Sequence, residues 1–128
     1  PVVAQGKYAY VTLRGGGNCG GASNQLDVID ISDLKNMKLI NSYPMSNPYG
    51  LGVDGDFLFV CEGNAGLKVF DNSDPLNLKQ VTQFFNINAY DVIPLNGVLL
   101  LIGDDGLFQY RYNNNEMTLI SSIPVIKQ

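Results

Sequence analysis

The chain alternates short apolar runs with turns rich in Gly, Asn and Asp, and its apolar pattern nowhere holds a 3.6-residue period over the roughly ten positions a helix needs. Phe57 to Cys61 and Val98 to Ile102 are apolar at nearly every position. Alternation marks a half-exposed strand, so these runs predict strands covered on both faces. Just ahead of them stand Asp54-Gly55 and Asn96-Gly97, dipeptides suited to tight hairpins in which Gly takes a positive φ. The pattern predicts an all-β chain. Its first strands lie at 49–53 and 90–94, its second at 57–61 and 98–102, its third at 67–70 and 107–110, and its fourth at 39–43, 79–84 and 118–123.

Laid on itself, the chain repeats. Asp30-Ile31-Ser32-Asp33-Leu34-Lys35-Asn36 falls on Asp71-Asn72-Ser73-Asp74-Pro75-Leu76-Asn77 at an offset of about 41 residues, a period that marks a repeat architecture. Leu26-Asp27-Val28-Ile29 matches Leu67-Lys68-Val69-Phe70 and, more loosely, Leu107-Phe108-Gln109-Tyr110. Tyr49 matches Tyr90, and Gly6 matches Gly55 and Gly97. Four strands per period of this length is the blade of a β-propeller. The expected fold is about three four-stranded antiparallel modules in an incomplete ring, a single array with a partial blade near 1–45 and blades at 46–86 and 87–128; a β-sandwich is the alternative. Phe59, Val60, Val69, Phe70, Leu100, Leu101, Leu107 and Phe108 are expected to be buried between blades.

Closed propellers typically have about four to eight blades, so three leave an apolar blade face at each end. The first of these faces lies behind Val2-Val3 and the second on the module bearing Val98 to Ile102. The expected partners are therefore the remaining blades of a longer parent chain or further copies of this one. In the first module nothing corresponds to Pro48-Tyr49, which suggests a piece missing upstream.

Composition removes several chemistries. There is no His, so Ser-His-Asp and Cys-His catalysis and most zinc sites are excluded within this chain. The net charge is −4 and the Lys and Arg residues are scattered, which argues against nucleic acid as a partner. The longest aliphatic run falls far short of the roughly 20 residues of a membrane-spanning helix. Cys19 and Cys61 fit no metal-knuckle spacing. Lying in a loop and at the end of the next second strand, they are expected on one face, either bridged across the first blade boundary or as two unpaired thiols. No cofactor is implied and no metal site.

The chemistry that remains sits in the loops joining fourth to first and second to third strands, which in a propeller emerge together around the channel. Asn47, Tyr49, Asn88 and Tyr90 repeat in position, as a ring of amide and phenol groups for a glycan or peptide, or simply as Tyr packing between blades and Asn capping turns. Arg14, Asn18 and Asn64 lie in the same loops. Gly15 to Gly21 lacks the Lys-Ser/Thr and the following helix of a phosphate loop and reads as a surface insertion. Glu62, Asp104 and Asp105 appear at equivalent turns, where paired carboxylates suit a cation or acid–base chemistry, or are solvated turn residues. Asp30 and Asp71 read as Asx-turn residues.

Leu26-Asp27-Val28-Ile29-Asp30 and Leu67-Lys68-Val69-Phe70-Asp71 resemble the LVIVD repeat of bacterial surface and secreted proteins. The resemblance implies a β-propeller and an extracellular, cell-surface or periplasmic location, and no reaction. The leading expectation is a non-catalytic binding or scaffold module that presents its loops to a protein or glycan. The alternatives are a carbohydrate-active enzyme with a carboxylate site at the channel mouth, and a structural spacer of a longer protein.

Overall fold

A computed structural model describes residues 1–15 and 23–125. Strands β1 (Val2–Gln5), β2 (Tyr8–Leu13), β3 (Gln25–Asp30) and β4 (Lys38–Pro44) form the first sheet. The middle sheet holds β5 (Leu51–Asp54), β6 (Phe57–Cys61), β7 (Leu67–Asp71) and β8 (Lys79–Phe84), and the third holds β9 (Asp91–Leu95), β10 (Val98–Gly103), β11 (Gly106–Asn113) and β12 (Glu116–Pro124). Every sheet is antiparallel and ordered as the chain runs. The first strands β1, β5 and β9 lie side by side at the inner edge. These are three propeller blades that do not close a ring, which removes the two-sheet sandwich. The first sheet has all four strands.

Local sequence explains the repetition. Gly6, Gly55 and Gly97 take positive φ, 60°, 56° and 84°, in the hairpins joining first to second strands. The Asp30 and Asp71 carboxylates each accept the backbone N–H two residues on, from Ser32 and Ser73, both at 2.8 Å. Hydrogen bonds from Ser32 and Ser73 hold both carboxyls below their ordinary value. Both turns are thus the expected Asx turns. Each third strand also carries a bulge against the fourth, after Val28, Val69 and Gln109. The shared bulge fixes which residues correspond between blades.

Strand parity then assigns the faces. One core cluster lies between the first and middle blades and includes Tyr10, Leu26, Val28, Leu58, Val60 and Phe70. The other lies between the middle and third blades and includes Phe59, Cys61, Leu67, Val69, Leu99, Leu101 and Tyr112. Leu26 and Val28 face the following blade, as do Leu67 and Val69; the corresponding residues of the third blade are Leu107 and Gln109. Nothing packs on that face among the described residues, so Leu107 is exposed by 37% and Ile102 by 51%.

This corrects the burial expected of Leu107. Of the other seven residues expected inside, Leu100 and Phe108 are half-buried and the rest are buried. The all-apolar reading of β10 overlooked that a terminal blade has only one covered face. Leu101, wholly buried, and Leu107 separate the two faces experimentally. Leu101→Ala is expected to cost about 2–5 kcal/mol, and Leu107→Ala about 0.5 kcal/mol or less in the monomer. Denaturant unfolding at low protein concentration measures both, and equal losses would contradict the assignment of faces.

Candidate functional site

In an antiparallel blade the loops from second to third strand and from fourth to the next first strand share one rim. Most of the residues singled out in the sequence meet there. The Arg14 guanidinium lies 4.1 Å from the centre of the Tyr49 ring, a cation–π distance. The Tyr49 and Tyr90 rings are 4.9 Å apart and tilted by 57°. Asn47 Nδ2 donates to the Tyr49 hydroxyl at 3.4 Å. Hydrogen bonding with the Asp104 carboxylate, and then desolvation, raise the Tyr90 phenol above its ordinary value. Arg14, Tyr49 and Tyr90 therefore form a row across three blades with a cation at one end, and Asp104, whose backbone N donates to Asn88, stands beside the other end.

The row is held by backbone. Gly50 N donates to the Tyr90 carbonyl at 2.8 Å, and Gly63 and Ala89 exchange N–H···O bonds at 2.8 and 3.1 Å across the second blade boundary. Thr12 Oγ1 donates to the Tyr49 carbonyl. Asn88 binds outward in both directions, accepting from Asp104 N at 2.9 Å and donating to Asn64 Oδ1. Gly63 is needed for this approach, because its φ is +56° and a Cβ there would press on the Tyr49 ring.

Glu62 does something else. Its side chain is wholly buried. Oε1 accepts from Ser46 N at 2.9 Å and Asn47 N at 3.1 Å, while Oε2 lies 2.9 Å from Lys68 Nζ. Glu62 and the pair Asp104-Asp105 do lie in equivalent turns, β6 to β7 and β10 to β11, but not at equivalent positions. Cys61 pairs with Leu67 and Ile102 with Leu107, so the position corresponding to Glu62 is Gly103. At Gly103 a Cβ would run into the Asn88 carbonyl, which leaves no room for a side chain. Asp104 and Asp105 are exposed, and Asp105 borders a cavity of about 130 Å³ with Asn88, Phe108 and Tyr110. No cluster of three His, Cys, Asp or Glu side chains suited to a metal occurs among the described residues.

Asn18 and Cys19 lie outside the described residues, and with them the test of the disulfide. Cys61 is buried, and burial first and Asp91 second push its thiol far up, so it is a packing residue rather than a nucleophile. Lys68 and Thr12 were missed in the sequence. Lys68 had a signal: it is the only charge in the apolar strand β7 before its closing Asp71.

The LVIVD repeat matches residues 1–44 and 49–84. No curated protein matches the sequence. Among solved structures, the N-terminal domain of Nup159 is similar with a TM-score of 0.57 at 18% identity. A chain in the structure of S. cerevisiae Dbp5 bound to Nup159, Gle1, IP6 and ADP is similar with a TM-score of 0.56, also at 18% identity. Both alignments cover 97% of this chain and 30% of the other, so the present chain spans under a third of their length. At this identity the likeness is one of fold.

Proposed function

Because the chain belongs to the LVIVD repeat family, we propose that it is a non-catalytic binding module, exposed at a cell surface or in a periplasm, that presents its loop rim to a protein or glycan. The observation that carries this is the fixed row of Arg14, Tyr49 and Tyr90. Aromatic rings already positioned by backbone bonds lose little conformational freedom on binding. Amide groups of Asn47, Asn64 and Asn88 beside them supply both donors and acceptors. Fold analogy alone would not give a function.

The family supplies the location in this reading, and the uncovered blade faces supply the partners: further blades of a parent chain, or further copies. Glu62 works against the carboxylate-enzyme reading, since its oxygens are committed to Ser46, Asn47 and Lys68. A glycan array probed with the intact chain tests the ligand. Binding to one glycan class that falls about tenfold or more in both Tyr49→Ala and Tyr90→Ala supports the rim as the site. Glycan binding that both variants retain at full strength would remove the rim from the function.

A further inference from the structure

At the opposite rim, where first strands turn into second and third into fourth, the two blade boundaries differ. At the first boundary the rim is plugged by polar side chains. Gln5 Nε2 donates to the Gly55 carbonyl at 3.1 Å, and Asn72 Nδ2 donates to Gln5 Oε1 at 3.2 Å and to the Tyr10 hydroxyl at 3.5 Å.

At the second boundary each of those residues is replaced. Gln5 corresponds to Asp54, which is shorter and keeps only the bond across the boundary, Oδ2 accepting from Gly97 N at 3.1 Å. Tyr10 corresponds to Phe59, which has no hydroxyl. Asn72 corresponds to Tyr112, whose ring meets Phe57 and Phe59 edge-on with centroids 5.5 and 5.1 Å apart. The plug is gone, and a groove of about 660 Å³ lies open over this aromatic floor.

Charge changes along with shape. Beside Asp30 in the first blade stands Lys7, whose positive charge helps to lower the Asp30 carboxyl. The middle blade has Asp56 at the position of Lys7, so the groove is lined by Asp54, Asp56 and Asp71, and no Lys or Arg among the described residues lines it. Lys79, across the strand pair from Asp71, is the nearest compensation. Asn96, Asn113, Asn114 and Asn115 complete the wall with amides that pair with main-chain amides.

We propose that this groove binds a short basic peptide segment, its Lys or Arg side chain lying over the aromatic floor between the three carboxylates and its backbone against the asparagines. Aromatic faces flanked by anions favour a desolvated ammonium or guanidinium. The volume is that of a ligand pocket and exceeds what one ammonium head fills. The site is separate from the loop rim and does not depend on what binds there.

The test is calorimetric titration of the intact chain with a blocked pentapeptide containing two lysines, the same peptide with both lysines acetylated, and spermidine. The expected result is saturable binding of the lysine peptide that weakens with salt and falls about tenfold or more in Asp54→Asn/Asp56→Asn. Asn at position 54 retains an acceptor for Gly97 N, and thermal unfolding of the variant checks that the blade boundary survives. Arg14→Ala, on the opposite rim, should bind as the unaltered chain does, which separates failure here from failure of the loop-rim reading. No binding, equal binding of the acetylated peptide, or an unaffected double variant would overturn the proposal. Spermidine matching the peptide would also overturn it, in favour of a free polyamine.

Discussion

Replacing Glu62 by Ala is expected to destabilise the chain by about 3–5 kcal/mol, the cost of stranding one member of a buried ion pair. Its carboxylate is wholly buried and holds three positive or partially positive groups: Lys68 Nζ and the N–H groups of Ser46 and Asn47. Removing it leaves Lys68, only 13% exposed, without a counter-charge, and two amides without an acceptor. Lys68→Met alone should also be costly, because it leaves the buried carboxylate unpaired. The double variant Glu62→Ala/Lys68→Met should recover part of the loss, since no charge is then buried, but not the part owed to the two amides. Urea unfolding of all three variants measures this as a double-mutant cycle. A loss below about 1 kcal/mol in Glu62→Ala would place Glu62 among ordinary surface pairs.

The same change should reach the loop rim. Ser46 and Asn47 lead directly into Pro48-Tyr49, so the bonds to Glu62 fix the start of the segment that places the Tyr49 ring under Arg14 and beside Tyr90. Because the chain has no Trp, the aromatic resonances of its seven Tyr are a clean report on that row.

The blades were legible because each carries its own local signals. Hairpin glycines, Asx turns and apolar second strands repeat at one offset, and β6 and β8 have the bounds the pattern predicts. The first strands begin later than expected, at Leu51 and Asp91, although the residues before them still bond to the second strands, Tyr49 N donating to the Cys61 carbonyl and Tyr90 N to the Ile102 carbonyl. Long-range pairing was less legible. A Glu between apolar Cys61 and Gly63 reads as a solvated turn residue, and nothing local shows that Lys68 and the preceding loop converge on it. Likewise Arg14, Tyr49 and Tyr90 could be placed on one rim by topology, but their order in a row depends on how closely neighbouring blades approach. Leu107 shows the converse: its own strand says buried, and only the position of its blade in the array exposes it.

The free face of the third blade carries Ile93, Leu95, Ile102, Leu107 and Ile123, each at least 37% exposed, around half-buried Leu100. Leu107 corresponds there to Leu26 and Leu67, which are fully buried against a following blade. Burial is favourable by about 25 cal/mol per Å² of apolar surface, and a contiguous patch of this kind is uncommon on a monomer. At the other end, the free face of the first blade presents Val2, Leu13 and Leu39 but also Asp27, already held by Gln25 Nε2 at 2.8 Å and Ser42 Oγ at 2.6 Å. The two faces are not copies of each other, so pairing of chains is expected to be head to tail, third blade against first. Two such contacts close a ring of six blades, and contacts that fail to close run on into filaments. Light scattering of the isolated chain across micromolar concentrations should show association. Ile102→Lys/Leu107→Lys should shift the midpoint of that association upward about a hundredfold or more, because each Lys would have to be buried unpaired. Its thermal unfolding as a monomer should stay close to that of the unaltered chain at high dilution. A chain that remains monomeric and cooperatively folded throughout would show that the third blade tolerates its bare face alone.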